Sequence, residues 1–103
     1  MFSAVIVAAL VQSAAINNQR DAYLNCLDQA VASATAQKMP SADFEAHLRT
    51  TCAAAATKFE GALIAFDLKN KVPRKQAAAD AQVQVDDFIS NLVSRYRVIT
   101  VSK

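Results

Sequence analysis

The sequence predicts an all-α protein, and two observations lead to that prediction. First, 22 of the 103 residues are alanine, the strongest intrinsic helix former and a residue that is depleted in strands. Second, apolar residues recur at spacings of three and four in three successive segments, as they do along one face of a helix. A single glycine and an apolar content of 53% exclude a disordered or collagen-like chain. We predict a small three-helix bundle: an antiparallel helical hairpin joined by one disulfide, plus a third helix.

Segment 1–15 is typical of a signal peptide. It carries no charged side chain, is mainly apolar, and ends with small residues at Ser13 and Ala15, which suit the −3 and −1 positions of a signal peptidase site. We predict cleavage after Ala15, a single mature helical domain over 16–103, and a periplasmic or secreted location. A buried core helix and a membrane span are the alternatives, although a span needs about 20 apolar residues. No stable transmembrane span is expected after cleavage.

The first predicted helix covers about 20–38 and has one apolar face. Pro40 ends it, because the residue before a proline avoids the helical conformation. Ser41 is then expected to be the N-cap of the next helix, with Asp43 favourably placed in its first turn. The apolar face comprises Tyr23, Leu27, Ala30, Val31 and Ala34.

The second predicted helix covers about 42–69 and ends before Pro73. Gly61 lies inside it, and glycine costs about 1 kcal/mol relative to alanine in a helix interior. We therefore expect either close approach of another helix or a kink at this position. The apolar face comprises Phe44, Leu48, Cys52, Ala55, Phe59, Leu63 and Phe66.

The third predicted helix covers about 74–96. Segment 98–101 after it is rich in β-branched residues, which disfavour a final helical turn. We expect that segment to fray, to pack in extended form or to pair with another chain. The apolar face of the helix comprises Ala78, Ala81, Val85, Phe88, Leu92 and Tyr96, flanked by Ile89 and Val93.

The only two cysteines, Cys26 and Cys52, are predicted to form a disulfide. Two cysteines in an exported chain favour a bridge. Cys26 lies 14 residues before Pro40 and Cys52 lies 12 residues after it, so the two thiols come level in an antiparallel hairpin. On the chain-entropy model, such a loop of about 27 residues contributes roughly 3.5 kcal/mol to stability.

No catalytic residue, metal ligand or cofactor site is predicted. His47, the only histidine, is expected to be solvated, and the disulfide removes both thiolates that a Cys/His pair or a zinc site would need. Asp80, Asp86 and Asp87 are interpreted as a solvated face rather than as a carboxylate pair for acid/base catalysis. We therefore expect the protein not to be an enzyme.

Four basic residues cluster at the turn between the second and third helices: Lys69, Lys71, Arg74 and Lys75. They fit either a solvated turn or a contact with an anionic surface such as lipid head groups. The net charge of +2 is too small to indicate a nucleic-acid partner.

The segment Tyr23-Leu24-Asn25-Cys26-Leu27, the proline turn, and Phe44 eight residues before Cys52 form a recognisable arrangement. It resembles small secreted helical proteins of proteobacteria that have a signal peptide and one cysteine pair. The resemblance implies export and brings no catalytic residue. More loosely, the predicted architecture is similar to small acid-stress chaperones of the periplasm, which are all-helical with one disulfide.

These observations together predict a non-enzymatic protein of the cell envelope. Helices this rich in alanine bury little area, and apolar surface left exposed favours binding of an envelope protein or self-association into a homo-oligomer. A periplasmic holdase and a binder of anionic envelope surfaces through the basic turn are the alternatives.

Overall fold

A computed structural model describes the backbone of residues 2–102 and the side chains of residues 14–99. Over the described backbone the chain is helical and contains no strand, which confirms the all-α prediction. There are four helices in this range rather than the three predicted. They are α1 (Phe2–Ala36), α2 (Ser41–Thr51), α3 (Ala53–Lys69) and α4 (Arg74–Ser102).

The fourth helix arises because the predicted helix over 42–69 is broken at Cys52. The backbone of this residue, with φ −108° and ψ 19°, lies outside the α-helical region. Its amide still donates to the Leu48 carbonyl and its carbonyl still accepts from the Ala56 amide, at 3.1 and 2.9 Å. The β-branched residues Thr50 and Thr51 precede the break and lower the local helix propensity, while the disulfide holds Cys52 against α1.

Helix α1 starts earlier than predicted, since the described residues 2–19 are also helical. From Phe2 onward they form one helix with the predicted first helix. The predicted cleavage site after Ala15 therefore lies within α1. Met1 lies outside the described residues.

Helix α4 ends later than predicted, because segment 98–101 continues it. The expectation that this segment is extended or frayed is therefore wrong. Each β-branched residue costs only a few tenths of a kcal/mol in a helix, and extending an existing helix avoids the cost of nucleation. At the start of α2, the N-cap is Pro40, with extended φ −61° and ψ 144°, and not Ser41 as predicted. Lys103 lies outside the described residues.

Helices α1 and α3 end in the same backbone motif. The amides of Met39 and Lys38 donate to the carbonyls of Ala34 and Thr35, at 3.0 and 3.1 Å. An equivalent pair of bonds, 2.9 and 3.1 Å long, closes α3 around Lys71. The two lysines have left-handed φ values of 54° and 65°, in the position that usually favours glycine. A proline follows two residues after each lysine, so that neither helix continues.

Helices α1 and α4 both pack on α2 and α3 and lie side by side, with side-chain contacts such as Tyr23 with Phe88 between them. Each makes most of its backbone contacts with α2 and α3, and the two make very few with each other. Contacts along α1 run antiparallel to those along α2 and α3, from Ala30 with His47 to Tyr23 with Phe59. Helix α4 is also antiparallel to α3, so α1 and α4 point in the same direction.

The core lies between these helices and is built on three aromatic side chains, Tyr23, Phe44 and Phe59, each no more than 1% exposed. Most of the predicted apolar faces are buried. The exception is the start of α4, where Ala77 rather than Ala78 is buried. Two adjacent apolar rows run along α4, one through Val85 and Ile89 and one through Phe88 and Leu92. The row of Val85 and Ile89 is buried in the core against the other helices, and the second row is only partly buried.

Gly61 lies on an exposed part of α3. Apart from the neighbouring backbone of α3 itself, no heavy atom lies within 4 Å of the position that a Cβ would occupy. The expected close approach of another helix at this glycine is therefore wrong.

Candidate functional site

The predicted disulfide between Cys26 and Cys52 is present. It joins α1 to the break between α2 and α3, with the two Cα atoms 5.8 Å apart. Cys52 is buried in the core, whereas Cys26 is half-buried beside it. Because both sulfurs are bonded to each other, neither supplies a thiolate for catalysis or for a metal.

His47 is not solvated as predicted. Its side chain is half-buried, and Nε2 lies 3.0 Å from the carbonyl oxygen of Ala30 on α1. A carbonyl only accepts, so Nε2 donates the proton. The correction follows from the packing of α2 against α1, which encloses the side of α2 that bears His47. Among the described residues, no three His, Cys, Asp or Glu side chains are placed to hold a metal ion.

The three aspartates of α4 do not form one solvated group. Asp80 and Asp87 are exposed, as expected. Asp86 instead accepts a hydrogen bond from Arg49 at 3.1 Å, and Arg49 also donates to Glu45 at 3.0 Å. Asp86 therefore connects α4 to α2, and its role in this structure is a cross-helix ion pair.

The four predicted basic residues lie where α3 meets α4. Lys69, Lys71, Arg74 and Lys75 are all exposed, and none forms an ion pair with another described residue. Lys71 occupies the left-handed position that ends α3. Positive charge near the end of α3 is favourable, whereas the charges of Arg74 and Lys75 oppose the dipole at the start of α4.

A cavity of about 200 Å³ lies beside the α2–α3 break, with Tyr23, Arg49 and Glu60 among its lining residues. The Tyr23 side chain is 1% exposed, and burial raises the pKa of its phenol. The charge of Arg49 acts in the opposite direction, while those of Glu60 and Asp86 raise the pKa further. Since two carboxylates already share Arg49, this cavity offers no unpaired cation to a ligand.

An apolar depression runs between α1 and α4 and is called here the α1/α4 groove. It consists of two adjoining cavities of about 280 and 430 Å³, which share Asp28, Leu92 and Arg95. The groove exists because α1 and α4 both pack on α2 and α3 while their backbones stay apart. Its apolar lining comprises Leu24, Leu27, Val31, Phe88, Leu92, Tyr96 and Ile99.

Two opposite charges face each other from the walls of the α1/α4 groove. Asp28 belongs to α1 and Arg95 to α4, and both side chains are exposed. Neither forms a salt bridge with any described residue. Beyond them the apolar surface continues to Ile99, which is 52% exposed, and to Val98, which is 65% exposed.

Sequence reasoning missed this groove. The periodicity identifies the apolar face of each helix but not which two helices stay apart. A signal is present in α4, where Leu92 and Ile99 form a second apolar row beside the row that is buried.

Within the part of the chain that the structure describes, no helix has the length and apolar content needed to cross a membrane. No protein-family model, curated protein or solved structure matches the chain. Its function is therefore inferred from its own residues and their geometry.

Proposed function

We propose that this protein is a non-enzymatic, exported interaction module whose α1/α4 groove binds an apolar helical face of a partner protein. The observation that carries the proposal is the groove itself: an apolar depression left open between two helices that pack on a common pair. Protein-binding sites combine an apolar centre with polar and charged residues at the rim, as the Asp28 and Arg95 walls do here.

A helix is the occupant that best suits this groove. Helices α1 and α4 form its two parallel walls, on which helices of a partner can pack ridges into grooves as in a four-helix bundle. The apolar residues of the α4 wall, Leu92 and Ile99, are seven residues apart, which is two helical turns. A partner with apolar residues at the same spacing would cover both.

Export is supported by the disulfide and by the pattern of segment 1–15. Disulfides persist in oxidising compartments and are rare in the cytosol. The groove is lined by residues of 24–99, all of which remain after cleavage behind Ala15. The proposed binding site therefore belongs to the mature chain.

A photo-crosslinking amino acid placed at Ile99 tests the groove in cells, with Val83 as the matched control. Both residues lie on α4, and they are 52% and 56% exposed, but only Ile99 lines the groove. We expect a discrete crosslinked polypeptide from position 99 and none from position 83. Equal crosslinking from both positions, or none from position 99, would contradict the proposal.

The basic turn supports a second candidate function, contact with an anionic envelope surface. Lys69, Lys71, Arg74 and Lys75 are exposed and unpaired among the described residues. Binding through these residues predicts co-sedimentation with anionic but not with neutral vesicles. It also predicts loss of co-sedimentation when all four are replaced by glutamate. Binding that is indifferent to this charge reversal would exclude the candidate.

A further inference from the structure

We infer that the occupant of the α1/α4 groove is a second copy of this chain, joined by a two-fold axis parallel to the helices. The inference rests on the proposed function of the groove as a protein-binding site. It goes further by naming the partner and the geometry, which follow from the charges on the two walls.

The charges of the groove are self-complementary. Asp28 and Arg95 line both of its cavities, so they lie close together on opposite walls. Within one chain they form no salt bridge, and each is left with an exposed charge beside apolar surface. A two-fold axis along the groove lays α1 of one copy on α4 of the other. Asp28 of each copy then meets Arg95 of the other.

The alternative two-fold arrangement is disfavoured by the same charges. An axis across the helices would lay α1 on α1 and α4 on α4. Because α1 and α4 point in the same direction and these charges lie close together, an axis that crosses the helices at this point brings Asp28 against Asp28 and Arg95 against Arg95. Like charges at an interface cost free energy, so the pair of charges selects the parallel dimer.

The apolar residues of the groove fit the same dimer. Val31 and Leu92 are half-buried in the single chain, and Ile99 is more than half exposed. Two-fold packing of groove on groove covers each of them in both copies at once. The resulting layer of two α1 and two α4 helices closes the side that α2 and α3 leave open, and its apolar centre is flanked by the two ion pairs.

Sedimentation equilibrium of the full chain, together with charge reversals, tests this arrangement. We expect a reversible dimer whose dissociation constant rises by more than about tenfold in Asp28→Arg and in Arg95→Asp. The double variant, in which the charges are exchanged, should return to within about threefold of the original chain. Val83→Glu, on an exposed position outside the groove, should leave dimerisation unchanged. Thermal unfolding of each variant monitors the fold separately.

Three outcomes would overturn the dimer. The first is a monomer at every concentration, and the second is a double variant that dimerises as weakly as the single variants. The third is single charge reversals that leave the dissociation constant unchanged, which is the result expected for a two-fold axis across the helices. Crosslinking from position 99 separates this failure from failure of the proposed function. A crosslink to a different polypeptide, or to many, would leave the groove a binding site while excluding the second copy. No crosslink at all would contradict both.

Discussion

The hydroxyl of Tyr96 donates a hydrogen bond to the carbonyl oxygen of Met39, 57 residues earlier in the chain. The same hydroxyl lies 3.5 Å from the carbonyl oxygen of Ala34, which the motif that ends α1 also uses as an acceptor. The Tyr96 ring stacks on Phe44 of α2, with centroids 3.9 Å apart and planes inclined by 4°. One side chain of α4 thus holds together the end of α1, the turn after it and the helix that follows.

Tyr96→Phe is expected to lower the free energy of unfolding by about 1–2 kcal/mol, because the half-buried Met39 carbonyl loses its donor while the ring stays in place. Urea unfolding at pH 7 measures the change. Tyr23→Phe is the matched control, since burial and the charges of neighbouring residues, and no hydrogen bond, shift the pKa of the Tyr23 phenol. Equal effects of the two substitutions would show that the hydroxyl of Tyr96 has no special role.

Lys71→Gly should stabilise the protein by about 0.5–1 kcal/mol relative to Lys71→Ala. Lys71 has φ 65°, and a left-handed conformation costs a residue with a Cβ free energy that glycine does not lose. The comparison with alanine removes the same charge in both variants. Lys38, with φ 54° at the end of α1, provides an independent repeat. A glycine variant less stable than the alanine variant at both positions would exclude this account.

Gly61→Ala should raise the free energy of unfolding by about 1 kcal/mol, because alanine is the better helix former and the added methyl group meets no atom within 4 Å beyond the local backbone of α3. Ala65→Gly, at another exposed position of α3, should lower it by a similar amount. Thermal unfolding of both variants checks the pair. Destabilisation by Gly61→Ala would mean that this surface is covered in solution.

Loss of the disulfide should cost roughly 3.5 kcal/mol on the chain-entropy model, because the unfolded chain regains the freedom of the loop between Cys26 and Cys52. Urea unfolding with and without a reductant measures the cost. The double variant Cys26→Ala with Cys52→Ala should resemble the reduced protein and should not respond to reductant. A midpoint that reduction leaves unchanged would show that packing alone holds α1 against α3.

Alkaline pH should destabilise the protein partly through Tyr23. Burial raises the pKa of this phenol above its usual value of 10.0. The unfolded chain therefore releases the proton at lower pH than the folded one. The resulting stability is present below about pH 10 and is lost as pH rises through the folded pKa. Urea midpoints at pH 8 and pH 11 should fall further in the original chain than in Tyr23→Phe, and equal falls would contradict the assignment.

Local features of the sequence determined the helical class of this protein, the position of two connections and the disulfide. Alanine content and apolar periodicity predicted helices, Pro40 and Pro73 marked where two connections lie, and the spacing of Cys26 and Cys52 around Pro40 predicted the disulfide. These features act within a few turns of helix or through a short turn, so neighbouring residues suffice to read them.

Only the tertiary structure decided what depends on contacts between distant segments. The break at Cys52, the hydrogen bond of His47 to Ala30 and the burial of Ala77 rather than Ala78 each reflect which helix lies opposite. The α1/α4 groove depends on the backbones of two helices staying apart, although both helices have apolar residues on the facing sides. Periodicity specifies the apolar face of a helix, whereas the partner of that face is set by the packing of the whole chain.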